Sequence, residues 1–149
     1  MSGYLDDGEA SAEALAGGWL RTGDVGQLDG GARLRVLARR GDLILSGGEN
    51  VYPAEVEAVL SAHPGVAEAA VVGRPDAAWG EVPVAAVVLR PGARADGLLE
   101  WARSRLAAFK VPAEVVEVGV LPRTAGEKVD RVALRAALDA KPANGKRAL

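Results

Sequence analysis

The side chains best suited to chemistry in this sequence lie in charged, glycine-containing loops. Lys128 follows Gly126-Glu127, Asp24 follows Gly23, and Arg39 precedes Gly41-Asp42. A lysine is a compact positive charge on a long stem, which suits stabilisation of negative charge that develops on oxygen atoms. A carboxylate offers two acceptor oxygens to a pair of hydroxyl groups. The plainer interpretations are a solvated lysine, a turn-capping aspartate and a surface arginine.

A second candidate region is the loop Ser46-Gly47-Gly48-Glu49-Asn50, together with Trp79 in a later loop. Adjacent glycines allow a ligand to approach the backbone closely, although they also suit a plain tight turn. Trp79 suits either contact with a ligand or coverage of the core. Because Glu49 follows the glycines with a negative charge, this loop is unsuited to cradling a polyphosphate.

Composition excludes several classes of function. The chain has 149 residues, no cysteine and one histidine, so a disulfide framework, a thiolate metal site and a histidine-rich metal site are excluded. A net charge of −2 gives no electrostatic argument for nucleic acid. No stretch approaches the ~20 apolar residues of a membrane span, and residues 1–4 lack the pattern of a signal peptide. We therefore expect no metal ligands and a cytoplasmic protein.

The first 41 residues predict a short helix followed by a β-hairpin. The hairpin signal is Asp29-Gly30-Gly31, because Asp-Gly between two apolar runs is a strong turn former. The charged stretch 38–42 then interrupts the pattern, so we place a domain boundary after Gly41. In chain order, the elements predicted before this boundary are a helix over 8–15 and strands over 25–28 and 34–37.

Residues 42–140 predict an α+β fold, a small mixed β-sheet with flanking helices arranged in two layers. Pro53 suits the first position of a helix, and Val56, Val59 and Leu60 share one face of that helix. The polar segment 141–149 is expected to form a flexible tail. The predicted order is a strand over 43–45, the helix from 53, strands over 67–72 and 82–89, a helix over 98–106, a strand over 115–118, a loop over 121–128 and a helix over 132–138.

Four segments resemble the adenylate-forming enzymes, a superfamily that contains acyl- and aryl-CoA ligases, luciferases and the adenylation domains of peptide synthetases. One such motif would be weak support, whereas four in the family's order and spacing are specific. Gly3-Tyr4 with residues 9–11 resembles GYxxxPEAT, 18–24 resembles GWxxTGD, 39–57 resembles the long motif that follows, and 121–128 resembles PRTxxGK. The resemblance covers nearly the whole chain.

This resemblance implies the C-terminal portion of an AMP-forming carboxylic acid–CoA ligase. Residues 1–41 would be the end of the large N-terminal domain, and 42–140 the mobile lid. Such enzymes join a carboxylate to the α-phosphate of ATP and release pyrophosphate; the lid then rotates, and the CoA thiol displaces AMP. Within the family, residues 46–53 and 77–83 most resemble the o-succinylbenzoate–CoA ligases of menaquinone biosynthesis. Fatty-acid and aryl-acid CoA ligases are close behind.

The resemblance also implies a role for each candidate residue. Lys128 would bridge the α-phosphate and the substrate carboxylate during adenylation. Asp24 would accept hydrogen bonds from the ribose hydroxyls of ATP, and Arg39 would reach the ribose or a phosphate from the far side of the hinge. The site for the pantetheine arm of CoA would involve Gly47, Gly48, Glu49, Asn50 and Trp79. The expected ligands are ATP or AMP, CoA and a small carboxylic acid, with Mg²⁺ bound mainly through ATP and the N-terminal domain.

Two positions depart from the family pattern. Relatives usually have glycine before the lysine, where Glu127 stands here, and Asp or Ser where Gly41 stands. A carboxylate at Glu127 would hold the ammonium of Lys128 away from phosphate if it pointed toward it, and would have no such effect if it pointed to solvent. Gly41-Asp42 would be the hinge that absorbs the backbone rotation, and glycine would loosen it.

Nothing in the sequence resembles the phosphate-binding loop of the family, which belongs to the large N-terminal domain together with the acyl pocket. We therefore expect a fragment, a proteolytic remnant or the product of a split gene, inactive without that domain. Two other functions stay open. One is a binding module that docks on a partner's ATP domain and supplies Lys128 in trans, and the other is a non-catalytic remnant retained for protein interaction.

Overall fold

The computed structural model describes residues 1–140, so the tail predicted over 141–149 lies outside the described residues. The chain divides into two compact units, Met1–Gly41 and a second that begins at Asp42. In the first unit, the carboxylate of Asp7 caps helix α1 (Gly8–Ala14) by accepting a hydrogen bond from the backbone N–H of Ala10. No residue within 1–41 is fully buried. Its elements are α1 (Gly8–Ala14), a 3₁₀ turn (Ala16–Gly18) and the antiparallel strands β1 (Asp24–Leu28) and β2 (Leu34–Arg39).

The loop between β1 and β2 is organised by Asp29, in agreement with the predicted turn. One carboxylate oxygen of Asp29 accepts hydrogen bonds from the backbone N–H groups of Gly31 and Arg33, at 2.9 and 3.0 Å. The other oxygen accepts from Nε of Arg33 at 2.8 Å. The loop is longer than Asp29-Gly30-Gly31 because Ala32, with φ +58°, completes the reversal of the chain.

The second unit is built around one long antiparallel hairpin of two strands, β5 (Val66–Asp76) and β6 (Gly80–Leu89). Strand β7 (Glu114–Glu117) pairs in parallel with the middle of β6. Strand β3 (Ile44–Ser46) pairs with the first residue of β6 through Ser46 and Gly80, so the sheet is mixed. After a 3₁₀ turn at Arg40–Asp42, the elements are β3 (Ile44–Ser46), β4 (Glu49–Val51), α2 (Pro53–Ser61), β5 (Val66–Asp76), β6 (Gly80–Leu89), α3 (Leu98–Arg103), a 3₁₀ turn (Ala108–Lys110), β7 (Glu114–Glu117) and α4 (Arg131–Asp139).

Helices cover both faces of this sheet. Val71 of β5 packs in a core with α2 and α3, whereas its neighbours Ala70 and Val72 pack in a second core with Leu134 and Leu138 of α4. The predicted fold class, a small mixed sheet with flanking helices, is confirmed. The expectation of two layers is wrong, because successive side chains of β5 and β6 point to opposite faces and both sets are buried.

The structure moves several predicted boundaries. Residues 49–51, expected in a loop, form strand β4, because a two-residue turn at Gly47-Gly48 lets the chain pair with β3. Helix α3 ends at Arg103 rather than at 106, and His63 contacts its Trp101 edge-on with ring centroids 5.0 Å apart. None of the helices within the described part of the chain has the length and apolar character needed to cross a membrane.

Candidate functional site

The predicted glycine loop is a tight turn with both glycines in the left-handed region of backbone conformation. Gly47 has φ +59° and Gly48 has φ +86°, and the flanking residues Ser46 and Glu49 are paired. A two-residue hairpin of this kind requires positive φ at both central positions, which glycine adopts without a steric penalty. Apart from the two chain neighbours of Gly48, no atom of residues 1–140 lies within 4 Å of its Cβ position, so these residues leave its backbone open to a ligand.

The indole of Trp79 covers Gly47, and two hydrogen bonds to the backbone of Trp79 fix its position. Its carbonyl oxygen accepts a 2.8 Å hydrogen bond from the N–H of Gly47, and its own N–H donates to the carboxylate of Asp76 at 3.2 Å. A Cβ on Gly47 would lie only 2.6 Å from Cε3 of the indole. The side chain of Trp79 is nevertheless 58% exposed, so its ring presents a broad apolar surface to solvent.

An apolar recess of about 410 Å³ opens beside Trp79. Its floor is formed by residues from β6 and from the segment between α3 and β7. The lining includes Ser46, Trp79, Val82, Pro83, Phe109 and Val111. The adjacent Lys110 is not a free cation, because its Nζ lies 2.7 and 2.8 Å from the carboxylate oxygens of Glu55. The recess therefore suits an aliphatic or amide-containing chain better than a phosphate group.

Lys128 lies on a different structure, a small hairpin between Pro122 and Asp130. The N–H of Thr124 donates to the carbonyl oxygen of Lys128 at 2.8 Å, and the N–H of Asp130 donates to that of Pro122 at 2.8 Å. The side chain of Lys128 is exposed, and within residues 1–140 its ammonium has no hydrogen-bond or ion-pair partner. The hairpin thus presents a positive charge to solvent.

Glu127, the departure from the family motif, lies at the corner of this hairpin. It has φ +60°, in the region that favours glycine, and its N–H donates to the carbonyl oxygen of Thr124 at 3.0 Å. A three-residue hairpin loop commonly needs one left-handed residue, so the geometry explains why glycine suits this position. The exposed carboxylate of Glu127 makes no ion pair with Lys128 or with any other described residue.

The Lys128 hairpin and the Trp79 turn lie at opposite ends of the sheet. Arg123, at the base of the hairpin, pairs with Glu68 near the start of β5, whereas Asp76 at the end of β5 holds Trp79. Glu68 and Asp76 are eight positions apart in this strand, which corresponds to roughly 26 Å at ~3.3 Å per residue. The structure therefore brings Gly47, Gly48 and Trp79 together and keeps Lys128 apart from them. Glu49 and Asn50 lie in strand β4, which follows the turn directly.

In the first unit, Asp24 and Arg39 face each other across the β1–β2 hairpin. One carboxylate oxygen of Asp24 lies 3.0 Å from Nε of Arg39, whose Nη1 donates to the carbonyl oxygen of Thr22 at 2.7 Å. Arg39 therefore belongs to the same unit as Asp24, not to the far side of the hinge as expected. Asp24 also borders an open cleft of about 800 Å³, lined by Tyr4, Leu20, Arg21, Thr22 and Arg40 among others.

Sequence reasoning missed a polar cluster centred on Arg131, the first residue of α4. Its guanidinium donates to Glu57 at 2.7 and 3.3 Å and to the carbonyl oxygen of Val71 at 2.9 Å, and its Nε lies 3.3 Å from Asp42. Burial alone would lower the pKa of Arg131, but the hydrogen bonds and negative charges of Glu57 and Asp42 outweigh it and raise this pKa. Its partners lie far apart in sequence, so no local motif signalled the cluster.

Comparison with known proteins gives one consistent result. Residues 55–128 match the family model described as AMP-binding enzyme C-terminal domain. A curated 2-succinylbenzoate–CoA ligase of Geobacillus kaustophilus is 53% identical over 135 residues, which are 89% of this chain and 28% of the ligase. The corresponding ligase of Bacillus subtilis is 47% identical over 135 residues, covering 91% of this chain and 28% of the ligase.

Solved structures agree with these matches. The o-succinylbenzoate CoA synthetase (MenE) of Bacillus subtilis, in complex with the acyl-adenylate intermediate OSB-AMP, superposes with a TM-score of 0.84 at 43% identity and covers all of this chain and 29% of that one. The amide bond synthetase McbA of Marinactinospora thermotolerans gives 0.85 at 44% identity, over 93% of this chain and 28% of that one. The chain therefore spans less than a third of the length of the relatives it matches.

Proposed function

Because this chain belongs to the AMP-binding enzyme C-terminal domain family, we propose that it is the lid of an ATP-dependent, AMP-forming carboxylic acid–CoA ligase. The observation that carries the proposal is the separation of two surfaces by roughly 26 Å of β5. One surface presents a lysine that pairs with no described residue, and the other presents a glycine turn beside an apolar recess. The enzyme would catalyse two half-reactions, one with ATP and one with CoA, and each would use one of these surfaces. The lid would therefore rotate between the two half-reactions.

In the first half-reaction, a carboxylate oxygen of the acid attacks the α-phosphorus of ATP, and the bond from that phosphorus to the bridging oxygen breaks to release pyrophosphate. Negative charge is spread over the phosphoryl oxygens in the transition state. The ammonium of Lys128, which no described side chain neutralises, would contact the α-phosphate and the carboxylate and stabilise this charge.

In the second half-reaction, the CoA sulfur attacks the acyl carbon, the carbon–oxygen bond to AMP breaks, and the thiol proton is released. The pantetheine arm of CoA is a chain of amide and methylene groups, which fits the recess lined by Trp79, Val82 and Phe109. Gly47 and Gly48 would let this arm pass close to the backbone, and Glu49 and Asn50 would flank it from the adjoining strand β4.

The first unit would contribute to ATP binding. Asp24 uses one carboxylate oxygen for Arg39, so its second oxygen is available to a ribose hydroxyl, and Arg39 would hold the carboxylate in place or reach the nucleotide. The described residues contain no cluster of three acidic or histidine side chains that could hold a metal ion. Mg²⁺ would therefore bind mainly through ATP and the N-terminal domain.

The reaction would take place in the cytoplasm, where ATP and CoA are consumed.

For the acid we propose o-succinylbenzoate, which would place the reaction in menaquinone biosynthesis. The support is that curated relatives 46–53% identical to this chain are 2-succinylbenzoate–CoA ligases. A fatty or aryl acid is the alternative, since a fatty acyl CoA synthetase of Mycobacterium tuberculosis is 40% identical over 93% of this chain. Because the chain is also similar to the amide bond synthetase McbA, an amine is an alternative to the CoA thiol as the nucleophile of the second half-reaction.

The test is ATP–pyrophosphate exchange with o-succinylbenzoate and with panels of fatty and aryl acids. It is run on the chain alone and on the chain mixed with the separately produced N-terminal domain of a related ligase. We expect exchange only in the mixture, and its loss with Lys128→Ala. The matched control is Arg94→Ala, which removes an exposed cation from the α3 side of the unit and should leave exchange unchanged.

Each other outcome has a definite meaning. Absence of exchange from every mixture that contains the folded chain would overturn the catalytic proposal and favour a non-catalytic remnant. Exchange that persists with Lys128→Ala would contradict the catalytic role of Lys128, both within one ligase and in trans. Adding CoA or an amine after the acyl-adenylate has formed then identifies the second nucleophile by the product, a thioester or an amide.

A further inference from the structure

Arg123 holds the peptide group that precedes Lys128. Its Nη1 donates to the carbonyl oxygen of Glu127 at 2.8 Å, and its Nη2 donates to Oε2 of Glu68 at 2.6 Å. The carbonyl of Glu127 and the N–H of Lys128 belong to one planar peptide unit, so fixing the oxygen fixes the plane from which the Lys128 side chain departs. A single guanidinium thereby ties the lysine hairpin to strand β5.

We propose that Glu68 and Arg123 are positioning residues for Lys128, acting in the first half-reaction only. This inference rests on the proposed role of Lys128. Glu68 lies in β5 opposite Val88 of β6, directly after a register shift at the start of the strand. From Glu68 the pairing runs without interruption to Asp76, and this pairing anchors the backbone of Glu68. A catalytic group needs such support, because a displacement of about 1 Å can lower a rate substantially.

The Arg123–Glu68 ion pair is partly exposed to solvent, so its loss can disturb the position of Lys128 without unfolding the chain. The side chains of Arg123 and Glu68 are 39% and 45% exposed, and neither belongs to the two hydrophobic cores. Exposed ion pairs contribute little to global stability. Breaking this one should therefore leave the fold intact and loosen the hairpin between Pro122 and Asp130.

The geometry also explains why arginine is needed at this position. The guanidinium presents two N–H groups in fixed directions, one to a side chain and one to a backbone carbonyl, whereas a lysine ammonium is a single point of charge. Arg123→Lys should keep the attraction to Glu68 but lose simultaneous contact with the Glu127 carbonyl. Glu68→Gln keeps an acceptor oxygen but removes the charge.

The first experiment uses the chain alone and does not depend on its activity. Amide hydrogen exchange of Thr124, whose N–H is bonded to the carbonyl of Lys128, is measured by NMR in the wild type, Glu68→Gln and Arg123→Lys. We expect about two- to fivefold faster exchange in both variants, the range that corresponds to losing one exposed ion pair. The matched control is Asp96→Asn, which breaks an exposed Arg94–Asp96 pair of 2.7 Å elsewhere.

The second experiment separates the half-reactions in the mixture with an N-terminal domain. Glu68→Gln should slow pyrophosphate exchange severalfold but leave thioester formation from preformed acyl-adenylate unchanged, because that step uses the Trp79 end of the sheet. Unchanged Thr124 exchange in both variants, or an equal loss of both half-reactions, would overturn the positioning role. If Lys128→Ala itself leaves pyrophosphate exchange intact, the proposed function fails instead, and the amide measurement still reports whether the hairpin is anchored.

Discussion

The backbone N–H of Gly47 donates a 2.8 Å hydrogen bond to the carbonyl oxygen of Trp79, and the indole of the same tryptophan lies against the Cα of that glycine. The turn and the ring therefore form one assembly, in which the absence of a side chain at Gly47 creates the space that Trp79 occupies. Any side chain at this position has to displace the ring or move the turn.

Gly47→Ala should lower the free energy of unfolding by about 2–3 kcal/mol, from the left-handed backbone and the 2.6 Å contact with Trp79. Gly48→Ala is the control, because it shares the positive φ but has open space around its Cβ, and should cost only about 1–2 kcal/mol. Urea unfolding measures both, and near-ultraviolet circular dichroism reports displacement of the indole. Equal losses in the two variants would contradict the steric explanation.

Glu127→Gly should stabilise the chain by about 0.5–1 kcal/mol, because it removes the cost of a left-handed non-glycine residue, less the entropy that glycine gains on unfolding. Glu127→Gln keeps the backbone strain and removes only the charge, so it should give no gain. Thermal unfolding of the three proteins under identical conditions tests this. An equal gain from glutamine would assign the effect to the carboxylate rather than to the backbone.

Arg131→Met should destabilise the second unit by about 2–3 kcal/mol. It removes the donor to the carbonyl oxygen of Val71 and leaves the carboxylate of Glu57 with only the backbone N–H of Val71. Glu57→Gln in the Arg131→Met background should then cost much less than it does in the wild type, because the two side chains act together. A double-mutant cycle from urea unfolding gives the coupling energy. Additive losses would show that the cluster is not an energetic unit.

The Asp29 carboxyl predicts an acid-sensitive loop. The backbone N–H of Arg33, followed by that of Gly31, lowers the pKa of Asp29 below its ordinary value of 3.8. Because the folded pKa lies below the unfolded one, its stabilising contribution is complete above the ordinary value and is lost as the pH falls through the lowered pKa. NMR titration of the Gly31 and Arg33 amides should show a midpoint below 3.8, absent in Asp29→Asn. A midpoint at or above 3.8 would contradict the assignment.

Much of the fold follows from local signals. Asp29-Gly30 marks the first hairpin, and Pro53 marks the start of α2, because both act through the backbone of their immediate neighbours. The number of layers was predicted wrongly, although the continuous apolar run Val84–Val88 in β6 indicated the correct number. A strand that is apolar on every residue is buried on both faces, which calls for helices on both sides.

The candidate site was predictable to the extent that residues close in sequence form it. The glycines of the turn are adjacent, and the loop that contains Trp79 packs against them through pairing of Ser46 with Gly80. The left-handed conformation of Glu127 could not be inferred from a glutamate, and the Arg131 cluster draws on residues from 42 to 131. The catalytic and binding roles of Lys128, Asp24, Arg39 and the glycine turn stay predictions.

Every fully buried side chain in the described chain lies beyond the boundary at Gly41, and two cores fill the space on either side of a single sheet. The segment from Asp42 consequently carries its own folding information, whereas residues 1–41 bury nothing completely. Recombination between genes at this boundary would transfer an intact folding unit without disturbing either core. If the proposed function holds, such an exchange would give an existing acid-binding domain a different lid in one genetic event.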